Sequence, residues 1–174
     1  MKSKEQIIHT PRLTLHEINE CDAENTLDIL THEEVGKTFL LPDFACREDA
    51  RPVFESLKRK SHDPARFIYG IYLDGNMIGF LNEVEKNDTE IELGYVIHPT
   101  YQRNGYATEA LSASINALFQ MGYQTVKTAA FEENNASIRV MEKSGMTRLS
   151  YTDALEYRGQ VHRCVWFEMR ANGK

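Results

Sequence analysis

The residue types and neighbours best suited to chemistry lie in one run, Gln102-Arg103-Asn104-Gly105-Tyr106-Ala107-Thr108. Before it lies an extended stretch, Glu90-Ile91-Glu92-Leu93-Gly94-Tyr95-Val96-Ile97. After it, Ala107, Ala110, Leu111, Ile115, Leu118 and Phe119 recur at helical spacing as far as Gly122. A strand that feeds a short loop and then a helix aims unpaired N–H groups and the positive end of a helix dipole at one point. Such a point binds phosphate without a basic side chain, and Gly105 lets an anion approach the main chain. Gly followed two residues later by Ala is a weak signal alone, and a tight helix N-terminus without any ligand also accounts for it. No Gly-x-Gly-x-x-Gly follows a strand and no Gly-x-x-x-x-Gly-Lys-Ser/Thr run exists, which disfavours a nicotinamide Rossmann domain and a Walker-type nucleotidase.

The chain of 174 residues is long enough for one domain with a sizeable core and short for two. Its 41% hydrophobic and 26% charged residues are those of a soluble globular protein. The apolar stretches are too short to cross a bilayer, so no membrane partner is expected. Met1 to Gln6 lacks the apolar core of a signal peptide, which makes the cytoplasm the expected location. Cys21, Cys46 and Cys164 are odd in number and far apart, and read as buried or half-buried free thiols. The six histidines are equally scattered, so no catalytic metal is expected. A net charge of −6 argues against direct nucleic-acid binding; it suits a cationic ligand or simply solubility.

The positioning elements follow from pattern. Pro11 to Ile18 alternates as a first strand, and Asp22 caps a helix running to about Thr31. A Gly- and Pro-punctuated segment, 35–44, precedes a helix from Arg47 to Lys60 with Pro52 in its first turn. Strands 67–73 and 77–84 flank Asp74-Gly75-Asn76 as a hairpin, and Asn87-Asp88 turns into the strand at 90–97. Thr125 to Phe131 reads as a buried strand. Asn134 or Asn135 caps a helix ending at Gly145, and two last strands, 146–152 and 161–170, are joined by a loop holding Tyr157-Arg158-Gly159. One mixed α/β domain spanning residues 1–174 accounts for everything.

Three segments in this order carry a family resemblance: Thr10-Pro11-Arg12-Leu13-Thr14-Leu15 with Asp22-Ala23; Glu92 to Pro99 running into Gln102 to Ala110; and Asn134-Asn135-Ala136-Ser137 with Glu142-Lys143-Ser144-Gly145-Met146. Together they resemble the GNAT superfamily of acetyl-CoA-dependent N-acetyltransferases, in its RimJ/RimL-type branch of ribosomal-protein N-acetyltransferase-like enzymes. The resemblance covers nearly the whole chain. It implies a twisted, mostly antiparallel mixed sheet, splayed at the fourth and fifth strands, with helices on both faces. It implies acetyl-CoA as co-substrate, its pyrophosphate held by Gln102, Arg103, Asn104, Gly105, Tyr106, Ala107 and Thr108. The pantetheine arm would pair with the backbone of Tyr95, Val96 and Ile97 and meet Asn134. Gly94 falls where the family has a β-bulge, although a sterically required strand glycine is the plainer reading.

Acetyl transfer to an amine needs a neutral nucleophile, donors for a developing oxyanion, and an acid for the departing sulfur. An aliphatic amine with a pKa of ~10 is mostly protonated at neutral pH, so a base or water relay helps. The resemblance offers two carboxylates: Glu92 on the strand flanking the acyl group, and Glu156 in the loop before the last strand. Many family members use a tyrosine as acid where this chain has Met141; the RimL-like pattern gives the role to Ser137 instead. No cysteine occupies a nucleophile position, which favours direct transfer in a ternary complex. Tyr95, Tyr101, Tyr157, Phe39 and Phe44 either line the acceptor pocket or belong to the core. The branch implies a protein N-terminal amine as acceptor, a small amine or amino-acid derivative being the alternative. A non-catalytic acyl-CoA sensor is the alternative from another class. Oligomeric state stays open, a homodimer among the options.

Overall fold

Leu13 and Leu15 are buried while Thr14 and His16 are half-buried, the alternation that puts one side of a strand in a core. In the computed structural model, which describes residues 4–171, these residues form β2 (Leu13–His16). It pairs antiparallel with β1 (Ile8–His9) on one side and β3 (Ile68–Leu73) on the other. Asp74 and Gly75, at φ 48° and 80°, make the two-residue turn from β3 to β4 (Asn76–Lys86), which pairs with β5 (Glu90–Ile97). The helix α4 (Tyr106–Gln120) then crosses over to β6 (Thr125–Phe131), parallel to β5. After α5 (Asn135–Lys143), β7 (Thr147–Tyr157) and β8 (Gln160–Arg170) complete one eight-stranded sheet ordered β1-β2-β3-β4-β5-β6-β8-β7.

The two faces hold separate cores. Leu93, Ile97, Leu111, Ile115 and Val126 pack on the side of α4 and α5. Val96, Phe80, Leu27 and Phe54 pack on the other side, under α1 (Ala23–Thr31), α2 (Glu33–Thr38) and α3 (Arg51–Ser61). The mixed sheet with helices on both faces is as expected. Four local readings are corrected. The segment 35–44 opens in a short helix, α2, where His32 accepts from the Glu34 N–H and Lys37 pairs with Glu34 at the C-terminal end. The strand β1 was unforeseen because two residues carry no period. Asp22 makes no side-chain cap to α1; its Oδ2 accepts from the Asn19 N–H (2.7 Å) and the Tyr72 hydroxyl (2.8 Å). Cys164 is buried, but Cys21 and Cys46 are exposed.

The strand pair that matters most is β5 with β6. Their register pairs run from Glu90↔Thr125 to Glu92↔Lys127 and stop there. Beyond that level β5 stays with β4 as far as Ile97, and β6 stays with β8 as far as Phe131. Each half-sheet twists with its own antiparallel partner, and the parallel seam opens between them. The splay therefore lies between the fifth and sixth strands, the count being shifted by β1.

Candidate active site

Alternation in an antiparallel pair decides what the open seam presents. The His98 N–H donates to Ile78 O (2.8 Å), and the Glu83 N–H turns away from β5 to Phe67 O (2.9 Å). Val96 and Gly94 therefore point their backbone groups at β4, while Leu93, Tyr95 and Ile97 point theirs into the gap. Of the predicted pantetheine contacts, Tyr95 and Ile97 face the gap and Val96 does not. The Ile97 carbonyl already accepts from Gln102 Nε2 (2.9 Å). Gly94 is in regular register opposite Asn82; the irregularity lies on β4 between Glu83 and Lys86, across from Glu92. The expected bulge is thus on the neighbouring strand.

At the mouth of the gap, Arg103 and Gly105 adopt left-handed conformations at φ 65° and 82°, and Gly105 is the N-cap of α4 without a side-chain cap. The first bond of the helix runs from the Glu109 N–H to Gly105 O (3.0 Å), so the N–H groups of Tyr106, Ala107 and Thr108 are left for a ligand. A Cβ added at Gly105 would meet only Arg12 Nη2, at 3.4 Å, so the loop is open above. The side chains of Asn104 and Gln102 turn inward: Asn104 Nδ2 donates to the carbonyls of Tyr101 (3.1 Å) and Gln102 (3.0 Å). What these two offer a ligand is backbone.

Sequence reasoning missed what fastens this loop. Arg12 Nη1 donates to Asn104 O (2.9 Å), its guanidinium stacks over Tyr106, and its Nε pairs with Glu109 at 2.7 Å. The Arg12 N–H and the Thr10 hydroxyl both donate to the other Glu109 oxygen (2.8 and 2.6 Å). Burial pushes the Glu109 carboxyl up, but the bonds from Thr10 and Arg12 outweigh it and hold the group below the ordinary carboxylate range. Thr10, Arg12 and Glu109 all lie within the family-like segments; only the fold says that they meet. Glu109→Ala should weaken coenzyme A binding about tenfold, since charge-assisted bonds of this kind contribute ~1.5–3 kcal/mol each. Because the folded-state value is depressed, the stabilising effect of Glu109 is present above the ordinary carboxylate pKa and is lost as pH falls through the folded value. Titration calorimetry and acid unfolding of wild type and variant check both points.

Across the gap, Tyr95 Oη on β5 lies 2.7 Å from Ser137 Oγ in the first turn of α5. The helix is capped by Asn134, whose Oδ1 accepts from the Ser137 N–H (3.1 Å). Asn134 thus has its structural duty, and Ser137 is presented to the seam. Burial pushes the Tyr95 hydroxyl up to about 12, the bond to Ser137 offsetting part of the rise. Met141 is fully buried in the core.

Glu92 points to the opposite face, with Gly94 and Val96. Burial raises its carboxyl above the ordinary range, the Glu85 carboxylate on the irregular stretch of β4 adds to the rise, and the Lys127 ammonium lowers it in part. Lys127 is itself taken by Glu90 (2.7 Å). Glu156 is not a loop residue: Arg158-Gly159 alone make the turn, and Glu156 pairs with Val161 inside the β7–β8 ladder. It is exposed, and alternation sets it on the face away from Tyr157 and Glu92. Tyr157 faces the helical roof, its hydroxyl within 3.1 Å of the carbonyls of Gly36 and Phe39 and accepting from the Leu41 N–H (3.3 Å). Arg158 pairs with Asp43 (3.1 Å), and its guanidinium lies against Gly36, 2.8 Å from the point a Cβ there would occupy. The hairpin so holds Phe39 over Gly94, its ring carbon 3.6 Å from the point a Cβ would occupy. Phe44 packs in the α1–α3 core, and Tyr101 sits against His98 near the anion loop rather than with the acceptor side.

Residues 12–147, more than half of the chain, match the family model described as the acetyltransferase (GNAT) domain. The chain is 28% identical over 149 residues to the "uncharacterized N-acetyltransferase YoaA" of Bacillus subtilis (strain 168), covering 82% of this chain and 83% of that one. Among solved structures, a GNAT-family acetyltransferase from Bacillus anthracis superposes with a TM-score of 0.81 at 21% identity, over 94% of this chain and 98% of that one. RimL, described as a ribosomal L7/L12 alpha-N-protein acetyltransferase in complex with coenzyme A, superposes with a TM-score of 0.79 at 18% identity, over 94% and 97%. The fold is shared with both, and the chain belongs to the GNAT family of N-acetyltransferases.

Proposed function

We propose that this protein moves an acetyl group from acetyl-CoA to a primary amine by direct attack in a ternary complex. The parting of β5 from β6 beside the uncapped start of α4 carries the reading. The donor set suits coenzyme A: N–H groups of the Arg103–Thr108 loop for a diphosphate, and the backbone of Tyr95 and Ile97 for an extended polar arm. RimL, a neighbour of the same fold, is described as a complex with coenzyme A, which supports the assignment. When bound, acetyl-CoA would supply an acetyl group activated as a thioester. The chain's own residues do the rest. Glu92, with its raised pKa and its position on the roofed face, takes the proton from the incoming amine. A gap-facing backbone N–H of β5 stabilises negative charge where it develops on oxygen. Ser137, backed by Tyr95, gives a proton to the sulfur side. Glu156 takes no part.

For the acceptor, the RimL neighbours favour a protein N-terminal amine, since one is described as modifying the N-terminal serine of ribosomal protein L7/L12. The roof that the hairpin holds over Gly94 favours a small amine as the second reading. Thiol release from acetyl-CoA against a panel of small amines and N-terminal peptides, with product masses, tests the proposal. Release that depends on an amine and yields the acetylated product is expected. Tight coenzyme A binding with no release for any amine would point to a sensor.

A further inference from the structure

Two buried side-chain polar atoms lack a hydrogen-bond partner among the described residues, Ser114 Oγ inside α4 and Asn82 Oδ1. An orphaned buried acceptor costs ~1–3 kcal/mol, so it calls for a donor from elsewhere. Asn82 is opposite Gly94, and its Oδ1 lies 3.4 Å from the point a Cβ there would occupy. Its Nδ2 is engaged with Glu83 O, which leaves the oxygen as the idle end. Asn82 is also part of the wall of a groove of about 400 Å³ between α3 and strands β3 and β4, within the size range of small-ligand sites. Val53, Leu57 and Val84 line it with carbon, and Val84 is 59% exposed.

Charge differs between its ends. Beyond the Asn82 end, outside the groove's own lining, Glu92 is two residues along β5 from Gly94, the partner of Asn82, with Glu85 across from it and Lys127 occupied by Glu90. Flanking the connection from α3 to β3 are Lys60, exposed and in none of the ion pairs of the described residues, and Arg66. Arg66 shares the Glu83 carboxylate with Lys86 (2.7 and 2.8 Å) and is also drawn to Asp63, so those four charges balance and Lys60 supplies the excess positive charge at this end.

We propose that this groove seats the acceptor and selects a primary amine whose apolar body ends in an anionic group. The amine N–H meets Asn82 Oδ1 beside Glu92, the body lies against Val53, Leu57 and Val84, and the anion reaches Lys60 and Arg66. The inference rests on the acetyl-transfer reading and adds the acceptor's chemistry to it. A free amino acid of suitable length and a peptide N-terminus followed by an acidic residue both have that chemistry.

Calorimetry on the protein saturated with coenzyme A tests it with two matched pairs. The first is 6-aminohexanoate against 6-aminohexanamide; the second is the peptide amides Ala-Leu-Glu and Ala-Leu-Gln. The charged member of at least one pair should bind up to about fivefold tighter, the upper yield of an exposed ion pair, and the winning pair identifies the source. Lys60→Glu should collapse that ratio towards one, and Asn82→Ala should weaken both members alike. Equal binding within both pairs, a preference that survives Lys60→Glu, or no binding by any of the four probes would overturn the proposal. Thiol release separates it from the broader reading: charge preference without release keeps the groove and removes acetyl transfer, and release without charge preference does the reverse.

Discussion

Glu92→Gln should lower kcat/KM by about 10²- to 10³-fold while leaving coenzyme A affinity near that of the wild type, the usual yield of a positioned general base. The amide keeps the shape and removes only the proton-accepting charge. In the wild type, log(kcat/KM) should rise with pH as Glu92 ionises, with an inflection above the ordinary carboxylate range because burial and Glu85 both favour the protonated form. That inflection should vanish in the variant. Stability should move the other way. A carboxyl whose folded-state pKa is raised contributes most below its unfolded value and loses that contribution as pH rises through the folded value. At neutral pH the ionised Glu92 therefore weakens the fold, and Glu92→Gln should raise Tm there, with the difference shrinking in acid. Lower activity with higher Tm is the signature of a strained functional carboxylate. A fall in both would mean that Glu92 is part of the scaffold.

How much of this is legible in the sequence depends on the range of each signal. The loop at 102–108 and the helix after it are local: Gly105 at positive φ and the apolar period of α4 sit within twenty residues, and both read correctly. The separate strands follow from alternation in the same way, whereas the mixed sheet that joins them is what the family resemblance implies. The clasp of Thr10 and Arg12 on Glu109 spans nearly a hundred residues, and no periodicity encodes it. The hairpin tip misleads for a subtler reason. Tyr157-Arg158-Gly159 has turn composition, but Tyr157 is still a ladder residue paired with Gln160, so Glu156 belongs to a strand and faces away. One residue of register changes the face, and with it the chemistry. The raised pKa of Glu92 is beyond reach too, since its chief cause is burial in the folded sheet, to which Glu85 on the irregular stretch of β4 adds.

Ser137→Ala should slow transfer by about 10²-fold and Tyr95→Phe by less, about tenfold, with coenzyme A affinity little changed by either. The difference follows from the geometry: Ser137 is presented at the seam, and Tyr95 reaches it only through the 2.7 Å bond between their hydroxyls. If Tyr95 serves to keep Ser137 oriented and supplied with a proton, removing both should cost no more than removing Ser137 alone, because the second change acts on a group already gone. Independent roles would instead multiply. The pH profile carries a further check. With its hydroxyl pushed up to about 12, chiefly by burial, Tyr95 stays protonated through the range in which a free phenol would ionise. The alkaline limb of the wild type should therefore remain flat to about pH 10, where an unshifted tyrosine acid would already show a decline. Single-turnover rates of the four proteins across that range decide the matter: multiplicative losses, or a wild-type decline near the ordinary tyrosine pKa, would detach Tyr95 from the acid role and leave Ser137 to act alone.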